Sequence, residues 1–402
     1  MGRIPLMLLS DNVASSTGLG RITRELALRI HSDLSDTFEL ATYGLGGVSS
    51  QKFKWPQYII NKLDSWSTPD LPKVWKDFAA GRKGVALTIW NPSWLPWLAD
   101  CEKLPNGGLK DFLRTKPLER WGYFPVDAVG PNGKLPEEVA EVIANFDRPL
   151  MYTEWAARLV DSSLAEHPKW ANPKHVGSCP HLPHGTDTKM FYPRDRKEMR
   201  RTFVSTVTGG QLTPMKEDVF LVGIVGTNSA RKDWDLGFQV CQELLHRGLN
   251  VGVWAHTNKV QGHWNILGLA KAYGLDGRII PTITDLTDEQ MAEAYCACDV
   301  TLGIGLGEGF GMPIFESIAC GVPCVHGDYA GAAEFLPPEF KVKPIGFWAE
   351  GWYANKRPVF DVREWAFRVE SAAKITATLP SELAWDNLWP RWRDWLLEGV
   401  NG

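Results

Sequence analysis

Glu308-Gly-Phe-Gly-Met-Pro-Ile-Phe-Glu316 is the stretch on which the fold of this chain turns. Two carboxylates bracket a glycine turn and the start of a helix. The apolar run 300–304 before it reads as a buried strand, and Pro313 suits the first helical position, where its missing N–H costs nothing. Glu308 then falls on the loop and Glu316 about one turn into the helix, both turned toward whatever occupies the helix N-terminus. Unpaired N–H groups and roughly half a positive charge gather at that end, which suits a phosphate. Carboxylates repel a phosphate and suit hydroxyls instead. A diphosphate between two polyols describes a nucleotide sugar.

A Glu-x7-Glu spacing arises by chance in many chains, so its weight comes from context. Ala319-Cys-Gly-Val-Pro-Cys-Val-His-Gly327 follows, a helix end, a glycine cap and the next apolar strand in order. The run 299–336 resembles the donor-binding signature of retaining glycosyltransferases of family 4. In that family a strand leads to Glu-Gly-Phe-Gly, a small apolar residue, Pro and Glu, then an alanine- or cysteine-rich helix and Gly-x-Pro-Val. A second match, Pro183-His-Gly-Thr-Asp187 continuing to Phe191-Tyr-Pro193, resembles a segment that crosses between the family's domains. His184 stands where Asn is commoner, and Gly185 is expected to supply a positive φ. Gly226-Thr-Asn-Ser-Ala-Arg231-Lys232 is a third match, between a strand and a helix. The fourth is Ser15-Ser-Thr-Gly18-Leu-Gly20-Arg21, which resembles the family's glycine loop with Leu19 interposed.

The resemblance implies an α/β protein of the GT-B fold, two Rossmann-like domains with parallel sheets facing a cleft. Residues 1–192 form the expected acceptor-side domain, joined by a returning helix near 380–402, and 193–379 the nucleotide-sugar domain. It also implies roles. Glu316 grips the ribose hydroxyls and Glu308 the transferred sugar. Arg231 and Lys232 stabilise the diphosphate with the amides of Gly309, Phe310, Gly311 and Met312, beside Gly226. Gly18 and Gly20 let the first domain approach the phosphates. Asp127, ending Trp121-Gly-Tyr-Phe-Pro-Val, occupies the strand end where many relatives hold a histidine near the reaction centre; a turn or cap residue is its structural alternative.

Composition agrees. At 402 residues the chain is too long for one ordinary core. An apolar share of 44% and a charged share of 22% are those of a globular protein. Strand and helix patterns alternate, with strands expected at 4–10, 85–90, 120–124 and 150–153, then 219–225, 250–255, 278–281, 300–304 and 322–326. Seven scattered cysteines point to free thiols and a reducing, cytoplasmic setting. The first apolar run is too short for a signal peptide or membrane span. Cys179, His181 and His184, with His175 nearby, lack a second cysteine pair at zinc spacing, so no metal and no cofactor are expected. Catalysis is accordingly expected to be metal-independent, the nucleotide sugar acting as co-substrate. Most of the nineteen tryptophans read as core filler. Arg194, Arg196, Lys197, Arg200 and Arg201 read as a solvated helix face.

The acceptor is less legible. Residues 1–195 carry 23 Lys and Arg against 22 Asp and Glu, and 196–402 carry 20 against 25, which leaves no strong field for nucleic acid or membrane. Tyr123-Phe-Pro-Val-Asp127 and Tyr152-Thr-Glu-Trp155 resemble bacteriophage-borne relatives that glycosylate hydroxymethylated bases in DNA. A UDP-sugar donor such as UDP-glucose is therefore expected, with a 5-hydroxymethyl pyrimidine or, alternatively, a glycan or lipid as acceptor. Lys52, Lys54, Lys110, Arg114 and Lys116 are candidate phosphate contacts, and first-domain tryptophans candidate stacking partners. Two other classes share the architecture, a nucleotide-sugar epimerase and a non-catalytic nucleotide-sugar sensor.

Overall fold

Leu6-Met7-Leu8-Leu9, each at most 1% exposed, forms an apolar run with no polar face. Runs of this kind settle in parallel sheets covered on both sides. A computed structural model describes residues 2–46, 52–60, 70–167, 170, 179–210, 215–283 and 285–401. The chain divides into two units, Met1–His184 with Trp389–Gly402, and Gly185–Leu388.

The first unit holds β1 (Ile4–Asp11), β2 (Phe38–Leu45), β3 (Gln57–Ile60), β4 (Gly84–Thr88), β5 (Leu118–Phe124) and β6 (Arg148–Met151). They form one parallel sheet in the order β3-β2-β1-β4-β5-β6. The second unit repeats the plan with β7 (Phe220–Val225), β8 (Val251–His256), β9 (Ile279–Thr282), β10 (Val300–Gly303), β11 (Cys324–Gly327) and β12 (Lys341–Val342). Its order is β12-β11-β10-β7-β8-β9, again parallel. Both are the doubly wound order, with the strand sequence reversing between β1 and β4 and between β7 and β10. A separate antiparallel ribbon pairs β13 (Gly346–Glu350) with β14 (Asn355–Val359).

Every strand expected from the sequence is present within a few residues, and β2, β3, β12 and the ribbon are additions. β3 and β12 are short edge strands with little apolar signal of their own. Pro313 is in the first turn of the helix Met312–Ala319, but Met312 precedes it in that turn. Gly185 does not adopt a positive φ. A Cβ there would lie 2.6 Å from the Trp385 nitrogen, so the backbone of Trp385 is what requires glycine.

The arginine cluster is only partly solvated. Arg196 and Arg200, on the helix Arg196–Thr208, donate to the Asp299 carboxylate at 3.0 and 2.5 Å. Asp299 also accepts the Leu221 N–H at 2.7 Å, fastening the starts of β7 and β10. In the first unit Trp392 donates to the Pro183 carbonyl at 2.9 Å, and the Arg148 guanidinium lies over the Trp121 and Trp395 rings. These contacts fasten the end of the helix Trp385–Asn401 to the first sheet. All seven cysteines are free thiols. Among the described residues no helix is long and apolar enough to cross a membrane.

Candidate active site

Ligands of doubly wound sheets bind at the carboxyl ends of the strands flanking the reversal. In the second unit those are β7 and β10, paired Val300 to Val222. The loops that leave them are laced by their backbones. Asp233 N–H donates to the Ile304 carbonyl at 3.0 Å, and Leu306 N–H to the Arg231 carbonyl at 2.9 Å. This register sets Arg231 and Lys232 against the loop that carries Glu308.

Glu308 is 7% exposed and Lys232 is 9% exposed. Lys232 Nζ donates to Glu308 Oε1, and Arg231 Nη1 donates to Glu308 Oε2 at 2.9 Å and to the Gly307 carbonyl at 2.6 Å. Burial pushes the carboxyl up, yet the charges and hydrogen bonds of Arg231 and Lys232 outweigh it and hold Glu308 well below the usual carboxylate range. Two cations against one carboxylate leave a net positive charge. Each Glu308 oxygen keeps a further acceptor position for a hydroxyl. Gly305, which the sequence analysis passed over, makes this fold-back possible. A Cβ at that position would lie 2.1 Å from Glu308 Oε1.

Gly311, at φ +85, supplies the left-handed residue that starts the helix Met312–Ala319. Phe310 is core, its ring 4.7 Å from that of Phe315, so its share in any ligand contact is its backbone. Ala332 N–H donates to the Glu308 carbonyl at 3.1 Å and fixes the loop from behind. Glu316 is 2% exposed and accepts from Tyr295 Oη at 3.1 Å. Tyr295, Lys232, Glu308, Gly303, Gly311 and Pro313 line one pocket. Glu308 and Glu316 thus belong to one region but hold separate partners.

Several further groups brace the site without any motif to announce them. Asn228 receives Trp264 N–H on its side-chain oxygen at 2.8 Å and donates Nδ2 to the carbonyls of Trp264 and Lys259. Its own N–H donates to Asn258 Oδ1 at 2.8 Å. All of these fasten the loop after Gly226. Tyr295 was legible only as one helical position in an alanine- and cysteine-rich run. His326 lies near the end of β11, pairs in register with Gly303 and hydrogen-bonds the Gly303 carbonyl through Nδ1. Burial holds it below the usual histidine range.

Asp127, Gly18 and Gly20 belong to the first unit. Gly18 opens the helix Gly18–Asp33 after β1, and the Gly20 N–H donates to the capping Thr17 hydroxyl at 3.1 Å. Asp127 is half-buried, three residues beyond β5. His184 is buried against Tyr123, whose hydroxyl lies 3.0 Å from its Nδ1, and burial depresses its pKa to about 3. His175 lies outside the described residues. Among those described, no three His, Cys, Asp or Glu side chains are grouped to hold a metal ion. Trp55, Trp75, Trp90, Trp121 and Trp170 are buried, while Trp94 is 41% exposed. Lys110 is buried and donates to the carbonyls of Glu102 and Leu104, and Arg114 forks onto the Glu102 carboxylate.

Two doubly wound parallel sheets, one in each unit, are the plan of the GT-B fold. Residues 216–351 match the model of the family described as Glycosyl transferases group 1. Among solved structures, sucrose-phosphate synthase from Thermosynechococcus elongatus superposes with TM-score 0.68 at 15% identity, over 99% of this chain and 100% of that one. Anabaena HepE, in complex with UDP and glucose, gives TM-score 0.65 at 13% identity, over 98% and 100%. The catalytic domain of starch synthase IV from Arabidopsis thaliana, bound to ADP and acarbose, gives 0.64 at 10%, covering 100% of both chains. These bacterial and plant proteins lend the bacteriophage resemblance no support. No curated protein matches the chain in sequence.

Proposed function

We propose that this protein transfers a sugar, with retention of anomeric configuration, from a UDP-sugar to an acceptor hydroxyl. One observation carries the reading, the buried Glu308 held between Arg231 and Lys232 at the reversal of the second sheet. A departing nucleoside diphosphate develops negative charge, and cations already fixed in a partly dry site stabilise it without reorganisation. Arg231 and Lys232 supply that charge in place of a divalent metal, aided by the first amides of the helix Met312–Ala319. Glu308 accepts hydroxyls of the transferred sugar and Glu316, oriented by Tyr295, those of the ribose. Asp127 serves the acceptor, and Gly18 and Gly20 a phosphate approach. The rest of the acceleration is placement of the acceptor hydroxyl.

HepE in complex with UDP and glucose supports the uridine donor, and the ADP complex of the starch synthase keeps adenosine in the test. A thermal-shift panel of UDP, GDP, ADP and their glucose conjugates identifies the base, because a ligand bound only by the folded state raises the melting temperature. UDP and UDP-glucose are expected to give the largest shifts. Turnover is then followed with glycans, lipids and duplex DNA carrying 5-hydroxymethylcytosine or 5-hydroxymethyluracil. Lys110 and Arg114, being committed to Glu102, weaken the case for the DNA acceptor. An isomerised sugar formed without acceptor marks an epimerase instead, and binding without turnover of any kind a sensor.

A further inference from the structure

The ribbon β13–β14 lies outside the parallel sheet of the second unit, and a two-stranded ribbon has little stability by itself in water. This one is fastened from both sides to the segments around Glu308. Arg357, 5% exposed, donates Nε to Glu350 Oε2 at 2.6 Å and Nη1 to the Leu306 carbonyl at 3.3 Å. Leu306 is the residue whose N–H donates to Arg231. On the other side Tyr329 Oη donates to the Lys356 carbonyl at 2.6 Å, just before the turn whose Ala332 holds the Glu308 backbone.

Trp348 pairs with Arg357 across the ribbon, so the two side chains share a face, the one that reaches Leu306. Trp348 is nevertheless 47% exposed, whereas Trp234, Trp254 and Trp365 of the same unit are at most 1% exposed. Glu350 and Asn355 continue that face on one side of the ring, and Val359, 42% exposed, on the other, so the ring carries polar groups along one flank. A sugar has matching chemistry, a C–H face that packs on an indole and a rim of hydroxyls that needs donors and acceptors. A bilayer or a second copy of the chain calls for one continuous apolar plane. Here Phe347 points to the opposite face, toward Tyr329, and Trp352 stands apart between the strands.

We propose that the Trp348 face of the ribbon is a sugar-stacking subsite that holds a glycan acceptor beside the Glu308 loop. The inference rests on the glycosyl-transfer reading and narrows its acceptor to an oligosaccharide. The ribbon's continuity with the Glu308 loop, through Arg357 and Leu306, is why the occupant is a substrate of that site.

The test compares wild type with Trp348→Ala and with Trp352→Ala, a control on the turn. Binding of maltohexaose, cellohexaose, xylohexaose and chitohexaose is measured by calorimetry without donor, and UDP-glucose and ADP-glucose binding separately. At least one glycan is expected to bind wild type and Trp352→Ala alike, and Trp348→Ala at least tenfold more weakly, with donor affinity within twofold. In turnover the same loss appears in the acceptor KM, with kcat little changed. No glycan binding by wild type, or equal binding by Trp348→Ala, overturns the subsite. So does a Trp348→Ala defect confined to anionic phospholipid vesicles or to self-association in sedimentation. Failure of wild type to bind any nucleotide sugar overturns the transfer reading instead, whatever the glycans do.

Discussion

Lys232 and Glu308, 76 residues apart in sequence, meet as a buried ammonium–carboxylate pair between the loops that follow β7 and β10. Neither group is affordable there alone, because a buried charge without its partner keeps the full desolvation penalty. Arg231, the more exposed of the two cations, joins the same carboxylate. Cations proposed to face a diphosphate are thus held ready by a glutamate proposed to face the sugar.

Lys232→Met is expected to destabilise the protein by about 3 kcal/mol, since Glu308 is left buried beside one remaining cation. Chemical denaturation measures it. Turnover should fall by about a hundredfold or more through loss of charge stabilisation at the leaving group. A variant with wild-type turnover removes Lys232 from the chemistry.

Acid should expose the same pair. Glu308 has a depressed carboxyl pKa in the folded protein, against an ordinary value of 4.5. Its contribution to stability is therefore complete above about pH 4.5 and lost as pH falls toward the folded value. The stability gap between wild type and Glu308→Gln, followed by urea melts, should be constant near neutrality and shrink below that pH. A gap that widens in acid contradicts the assignment.

Tyr295→Phe deletes one hydroxyl and leaves Glu316 in place. Nucleotide affinity is expected to drop roughly fivefold to tenfold, about 1 kcal/mol for a lost hydrogen bond in a buried setting. Glu316→Ala should cost more, on the order of 1.5–3 kcal/mol, because the ribose loses a charged acceptor. Unchanged calorimetric affinity in Glu316→Ala takes that residue out of the site.

Gly305→Ala tests geometry without replacing a charged group. The added methyl falls on Glu308 Oε1, so the carboxylate must shift. Turnover should fall at least tenfold while nucleotide affinity, proposed to rest on Glu316, the helix amides and the two cations, changes little. Equal turnover shows that the fold-back of Glu308 is dispensable.

Chelation is expected to leave turnover intact, since Arg231 and Lys232 are proposed to take the place of a divalent ion at the diphosphate. Full loss in a chelator, restored by magnesium or manganese, overturns that expectation.

The sequence by itself determined the α/β class, the two sheets and the loops that carry Glu308, Arg231 and Lys232. These are local patterns: uninterrupted apolar runs, a glycine turn before Pro313, and polar residues at strand ends. It could not show that Lys232 and Glu308 neutralise each other, because their contact follows from β7 and β10 being neighbours although 76 residues of chain separate the pair. Nor could it show why Gly305 lacks a side chain, why Tyr295 stands over Glu316, or that Arg357 reaches Leu306. Those are contacts between elements distant in sequence, and each residue taken alone looks like an ordinary turn, core or surface position. The same limit holds for the tryptophans, since composition counted nineteen and only tertiary packing separated buried Trp121 from half-exposed Trp348. Burial belongs to the surroundings of a residue, and the surroundings exist only once the sheets have formed.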